Sequence, residues 1–158
     1  MLAQLADQII EKSNQAIELY YRLVLIVAPG GAGKTISLQE VHRKTGAPLI
    51  NVNLELSERM LDLTERQRAL QLPDLLRGIV EEKDSENILL DNIEVVFDVD
   101  LKQDPLRLLK RLSRDKTIVA AWNGKVENGA LTYAEPTHPE YRRYTTDDFL
   151  FVSPKSNE

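Results

Sequence analysis

Leu2, Leu5, Ile9, Ala16, Ile17 and Tyr20 recur near helical spacing, which predicts an amphipathic helix over the first twenty residues. Leu23 to Ala28 is a short, wholly apolar run instead, as expected of a strand buried on both faces of a parallel sheet. Pro29, Gly30 and Gly31 predict a turn, followed by a helix from Lys34 to Lys44 that Gly46 and Pro48 stop. Pro48 to Asn53 reads as a second strand. Ser57 suits the cap of a helix carrying Met60, Leu61 and Leu63, and Pro73 with Asp74 suits the first turn of another helix reaching Glu82. A third strand, Ile88 to Leu90, ends in Asp91. Asp104 and Pro105 open a helix whose buried side is Leu106, Leu108, Leu109 and Leu112. Thr117 to Trp122 is a fourth strand, ended by Asn123 and Gly124. Asn128 and Gly129 predict a tight turn into Ala130 to Tyr133, and Phe149 to Val152 is the last strand.

Strands that alternate with helices predict a mainly parallel sheet covered on both faces, an α/β three-layer sandwich. One domain is expected: residues 1–22 as a helix packed on the core, 23–153 as the core, and 154–158 as a polar tail. The 158 residues suffice for such a core. The sequence has no cysteine and only two histidines, which excludes disulfides and thiolate metal sites, argues against a histidine metal site, and fits a cytoplasmic protein. The longest apolar run, Leu23 to Pro29, falls far short of a membrane span, and the N-terminus lacks the layout of a signal peptide, so no membrane partner is expected. A net charge of −5 means that any nucleic-acid contact is local or made within an assembly.

The chemistry starts at residues 28–35, A-P-G-G-A-G-K-T. This is the phosphate-loop pattern G-x-x-x-x-G-K-[ST] with Ala28 at the first position. Glycines let the backbone of Pro29, Gly30, Gly31, Ala32 and Gly33 turn its N–H groups toward phosphate oxygens. The helix N-terminus that follows adds partial positive charge. Lys34 can reach the β- and γ-phosphates, and the Thr35 hydroxyl can hold Mg²⁺. A buried strand before the loop and a helix after it are the context the motif requires. The expected ligands are therefore ATP and Mg²⁺.

A metal-bound triphosphate calls for an acid at a nearby strand end, and Asp91 supplies it. A whole strand, Pro48 to Asn53, separates the phosphate-loop strand from the Asp91 strand. That order resembles the AAA+ and RecA-like (ASCE) branch of P-loop NTPases, in which a neighbouring strand ends in a polar sensor. Asn123 is the candidate sensor, or else a turn residue before Gly124. AAA+ ATPases follow the metal Asp with a Glu that polarises the attacking water; here that position is Asn92, whose amide orients water but takes no proton. Glu94 is the nearest substitute, although a strand running into a helix is expected to aim it elsewhere. Slow hydrolysis by the isolated protein follows.

Several segments together, V-A-P-G-G-A-G-K-T, N-V-N-L-E-L-S-E-R-M-L-D-L, L-L-D-N-I-E and the late A-W-N-G, Y-A-E-P and H-P-E-Y, resemble BrxF, a family of small P-loop proteins of type III BREX phage-resistance systems. The resemblance spans about residues 20–152. It implies a bacterial defence role beside a DNA methyltransferase and other BREX proteins, on a minimal AAA+-like core. Six residues follow Val152, so the helical lid typical of AAA+ proteins is expected to be missing, which exposes the base. Tyr20 or Tyr21 is a candidate to pack on adenine, or else a core or surface aromatic. In AAA+ sites an Arg from the next subunit often lies just before the last strand; Arg142 and Arg143 stand there, either as a simple solvated pair or as fingers of a ring-like homo-oligomer, dependent on ATP or DNA. Arg107, Lys110, Arg111, Arg114 and Lys116 form a second basic group, with 107, 111 and 114 on one helical face. It reads as a solvated face, or as a contact for double-stranded DNA or another subunit.

Three functions stay open at this point. The first is an ATP-binding, AAA+-like regulator of a DNA-directed defence complex. The second is a non-hydrolysing scaffold locked by nucleotide. The third is a small-molecule or nucleoside kinase, which needs an Arg-rich lid; Leu54 to Leu72 holds Arg59, Arg66 and Arg68, but with Leu54, Leu61 and Leu63 interspersed it reads as an amphipathic helix rather than a lid.

Overall fold

The computed structural model describes residues 2–30, 33–134 and 137–154. The first predicted helix is α1 (Leu2–Ala16), which buries Ala6, Ile9 and Ala16. The apolar run is β1 (Leu23–Ala28), buried at every position. It is an interior strand of the sheet, paired on both sides. Next come α2 (Lys34–Thr45), β2 (Leu49–Asn51), α3 (Val52–Arg59), α4 (Glu65–Glu81) and β3 (Asn87–Asp91). Two 3₁₀ turns, Glu94–Phe97 and Val99–Leu101, lead into α5 (Pro105–Leu112). The remaining elements are β4 (Thr117–Glu127), β5 (Ala130–Tyr133), β6 (Arg142–Thr145) and β7 (Leu150–Val152).

The strand order is β2-β3-β4-β1-β7, all parallel, with β5 and β6 added antiparallel to the far end of β4. Inserting β4 between β1 and β3 is the AAA+ and RecA-like arrangement. Alternate residues of the central strands face two separate cores. On one side Val24, Ile26, Val119 and Ala121 pack with residues of α1 and α2. On the other, Leu25, Val27, Leu90 and Trp122 pack with residues of α3, α4 and α5. The result is a mainly parallel three-layer α/β sandwich, and no helix is long and apolar enough to cross a membrane.

Several expected boundaries move. The second strand ends at Asn51, because Val52 and Asn53 already belong to α3; Asn51 is its cap, with the side-chain oxygen accepting from the Leu54 N–H at 3.1 Å. Ser57 therefore lies inside a helix rather than capping one. Met60 ends that helix, and Leu61 stands 73% exposed after it rather than on a buried helical side. Pro73 is likewise interior to α4, whose true start is a reciprocal capping box between Thr64 and Gln67. Asn123 and Gly124 do not end the fourth strand, because β5 pairs with its extension. The Asn128–Gly129 turn forms as expected, with both φ angles positive, and β6 continues the antiparallel extension beyond it.

Candidate functional site

Parallel strands deliver their C-terminal ends to one edge of the sheet, and the candidate chemistry lies there, at the ends of β1, β2 and β3 and at the level of Asn123 within β4. Ala28 pairs in register with Asn123, and Asn51 with Asp91. The phosphate loop leaves β1 at Ala28 and enters α2 through Gly33, whose φ of 85° is a left-handed conformation suited to glycine. Gly31 and Ala32 lie outside the described residues. Gly30 has open space where a Cβ would stand, and the N-terminus of α2 has no side-chain cap. Lys34 is only 6% exposed, and its ammonium donates to the carbonyls of Pro29 at 2.7 Å and Ala28 at 3.0 Å. Burial pushes that ammonium below the ordinary lysine range, while nearby Glu94 and Asp91 pull it back up. Thr35 is exposed on the first turn of α2.

Asp91 is a buried carboxylate whose Oδ1 accepts the Asn92 N–H at 2.9 Å. Asn92 has a φ of 51°, a left-handed turn that asparagine tolerates. Its carbonyl accepts the Asn53 N–H at 2.8 Å, which ties the turn to α3. This turn corrects the expected path of Glu94: the chain does not carry it away but folds it back into the site. The Glu94 Oε1 accepts from the Asn53 amide at 3.0 Å and the Oε2 from the Asn123 amide at 2.8 Å. Asn53 also uses its side-chain oxygen to accept the Val95 N–H at 2.8 Å, so one residue positions both the turn and the acid. Tyr133 is close enough that burial first, and Glu94 second, push its hydroxyl above the ordinary tyrosine range.

Asn53 is the residue that sequence reasoning missed. Its signal, in retrospect, was a polar residue just after a strand of a parallel sheet, where side chains reach the ligand edge. Asn123 is brought to the site as expected, through Glu94 rather than as a strand terminus.

The arrangement fits a magnesium nucleotide. It presents a helix N-terminus with no side-chain cap, a buried ammonium whose hydrogen bonds among the described residues go to carbonyls of its own loop, and a buried carboxylate that acts on it. No cluster of three or more acidic or histidine ligands occurs among the described residues, so Thr35 and Asp91 would share a cation with phosphate oxygens.

The other candidates lie elsewhere. Tyr20 and Tyr21 precede β1 and so stand at the edge of the sheet opposite the phosphate loop, out of reach of adenine. Tyr20 lies under the Arg114 guanidinium at 3.8 Å, and the Lys110 ammonium stands 5.5 Å from the Tyr21 ring. Arg142 donates to the Gln103 carbonyl at 2.9 Å, and Arg143 is exposed beside it on β6. Among the arginines of the kinase alternative, Arg59 is held by Glu55 at 2.6 Å and Glu82 at 3.1 Å, and Arg68 bonds the Leu63 carbonyl at 3.1 Å; both secure α3 and α4.

No protein-family model matches this chain, and no curated protein does. Among solved structures it is similar to PCH-2 of C. elegans, with 16% identity and a TM-score of 0.41 over 80% of this chain. The match spans 37% of that longer chain.

Proposed function

We propose that this protein binds ATP at the phosphate loop and hydrolyses it slowly, with Glu94 as the acceptor of the proton from the attacking water. The observation that carries the reading is the Glu94 carboxylate, held between the Asn53 and Asn123 amides on the same sheet edge as Lys34 and Asp91. Backbone N–H groups and Lys34 bind the phosphates. Mg²⁺, shared by Thr35 and Asp91, would offset charge that develops on the phosphoryl oxygens. Lys34 has to leave the Ala28 and Pro29 carbonyls to do its part. Both oxygens of Glu94 are engaged by amides, so an amide has to be exchanged for water before the carboxylate can meet the proton it takes, and turnover below about 1 s⁻¹ is expected. The same engagement favours, as a second reading, a nucleotide-locked scaffold whose hydrolysis waits for a partner. Steady-state hydrolysis by wild type and Glu94→Gln, beside ATP binding by both, tests the reading. Equal turnover by the two proteins removes Glu94 from it.

The resemblance of the sequence segments to BREX proteins supports a role in DNA-directed phage defence, as a homo-oligomer acting with other BREX components in the cytoplasm. The basic face of α5 is the contact for double-stranded DNA in this reading. Arg107 and Arg111 form no ion pair among the described residues, and Arg114 and Lys110 lie against tyrosine rings. Arg143, exposed on β6, would meet a neighbouring subunit's nucleotide. The mass in solution with and without ATP–Mg²⁺ and duplex DNA, for wild type and the Arg142→Ala/Arg143→Ala double variant, tests assembly. A monomer under every condition ends that part of the reading.

A further inference from the structure

β4 does not stop at the candidate sensor but runs on to Glu127 as one arm of a hairpin. Gly124 permits this: a Cβ there would stand 1.8 Å from the Thr132 carbonyl oxygen, so only glycine lets the two strands close. The Trp122 indole N–H donates to that same carbonyl at 3.0 Å and fixes the hairpin to the core. Side chains alternate along a strand, so Lys125 falls on the same face as Asn123.

The extension builds a wall opposite the start of the phosphate loop. Between them lies a cavity of ≈ 190 Å³ lined by Pro29, Gly30, Asn123, Gly124, Lys125 and Ala134. The Lys125 side chain is 54% exposed, and its one ionic partner among the described residues is Glu127 on the same strand, at 3.5 Å. An exposed pair of this kind is worth little and exchanges readily for a stronger anion. Lys34, by contrast, is buried and engaged by its own loop.

We propose that Lys125 is a second ammonium for the terminal phosphoryl group of a bound nucleoside triphosphate, supplied by the same chain and responsible for preferring the triphosphate over the diphosphate. The inference rests on the phosphate-loop reading above. Asn123 marks the end of the site where the acid stands, and Lys125 lies one strand repeat beyond it, lining the same cavity as Pro29 and Gly30. A diphosphate lacks the group at that end. A cation that touches only that group therefore changes affinity for one nucleotide and leaves the other alone, as a flexible point charge suited to phosphate.

Calorimetric titration of the full chain with ATP–Mg²⁺ and ADP–Mg²⁺ tests this. Lys125→Ala is expected to weaken ATP about tenfold, the effect of one charge-assisted hydrogen bond, and to leave ADP within about twofold. Lys125→Arg keeps the preference, and Lys34→Ala weakens both nucleotides. Glu127→Ala, which frees Lys125 without touching the cavity, holds ATP affinity at or above wild type. A Lys125→Ala protein with the wild-type ratio of ATP to ADP affinity overturns the inference, and if Lys34→Ala still weakens both nucleotides the phosphate-loop reading stands. A loss in Glu127→Ala equal to that in Lys125→Ala assigns the effect to the hairpin and also overturns it. Failure of wild type to bind either nucleotide overturns inference and reading together.

Discussion

The two ends of the same parallel strands are built from opposite chemistry. At the C-terminal edge stand carboxylates and amides: Glu94 accepts from the Asn53 and Asn123 amides, Asp91 accepts the Asn92 N–H, and both acids act on the buried Lys34 ammonium. At the N-terminal edge stand arginines and tyrosines, with Tyr20 65% exposed and Arg114 resting on its ring. The first edge is preorganised: its polar groups hold one another in place before any ligand arrives, so each substitution there leaves a partner unpaired. The second is a surface of largely independent contacts, where each residue adds a small and screened amount. Effects at the first edge should therefore be large and coupled, and at the second small, additive and sensitive to salt.

The sharpest way to break that contrast is Glu94→Gln. Loss of the base is expected to lower kcat about 10²- to 10⁴-fold while ATP affinity, measured by titration, stays near wild type. Lys34→Ala is next, with ATP binding weakened by about 100-fold or more. The lysine also gives the site a pH signature. Its folded pKa is lowered by burial, so charging it costs stability below that pKa, and the cost disappears as pH rises through it toward the unfolded value. ATP affinity should accordingly begin to fall at a pH below the free-lysine value of about 10.4, and Lys34→Ala should lack that fall.

Gly124→Ala acts on the scaffold that presents Asn123 and Lys125. The forced overlap with the Thr132 carbonyl should cost about 1–3 kcal/mol of unfolding free energy in urea titrations, with ATP affinity reduced as well. The smallest effects belong to the opposite edge. Arg107→Glu with Arg111→Glu should leave ATP binding and hydrolysis untouched and reduce the salt dependence of DNA binding by about one unit of slope per lost phosphate contact. A change in nucleotide affinity from this pair would erase the distinction between the two edges.

Much of this was legible in residue order because it depends on local rules. The continuous apolar run at β1 had no other use than a strand buried on both faces. The Asp104–Pro105 helix start rests on a side-chain cap, with Asp104 accepting the Arg107 N–H at 3.3 Å, and the Asn128–Gly129 turn rests on two left-handed residues. Local rules misled where two signals competed. Ser57 and Pro73 look like helix starts, but each sits inside a helix whose first turn was set elsewhere, by Asn51 and by the Thr64–Gln67 box. The β6 strand carried no clear apolar alternation because its two inward positions are Arg142 and Tyr144, and only the tyrosine is apolar enough to join the core.

The sequence by itself determined that a glycine-rich loop with Lys34 and Thr35 joins a buried strand to a helix, and that an acid closes a later strand, because both depend on spacing within a few residues. Tertiary structure alone decided which distant residues share that edge. Asn53, Glu94 and Asn123 are separated by 41 and 29 positions along the chain, and meet only because β4 inserts between β1 and β3 and Asn92 turns the backbone left-handed. Hydrogen bonds act over about 3 Å of space whatever their separation in sequence, so no pattern along the chain encodes them directly.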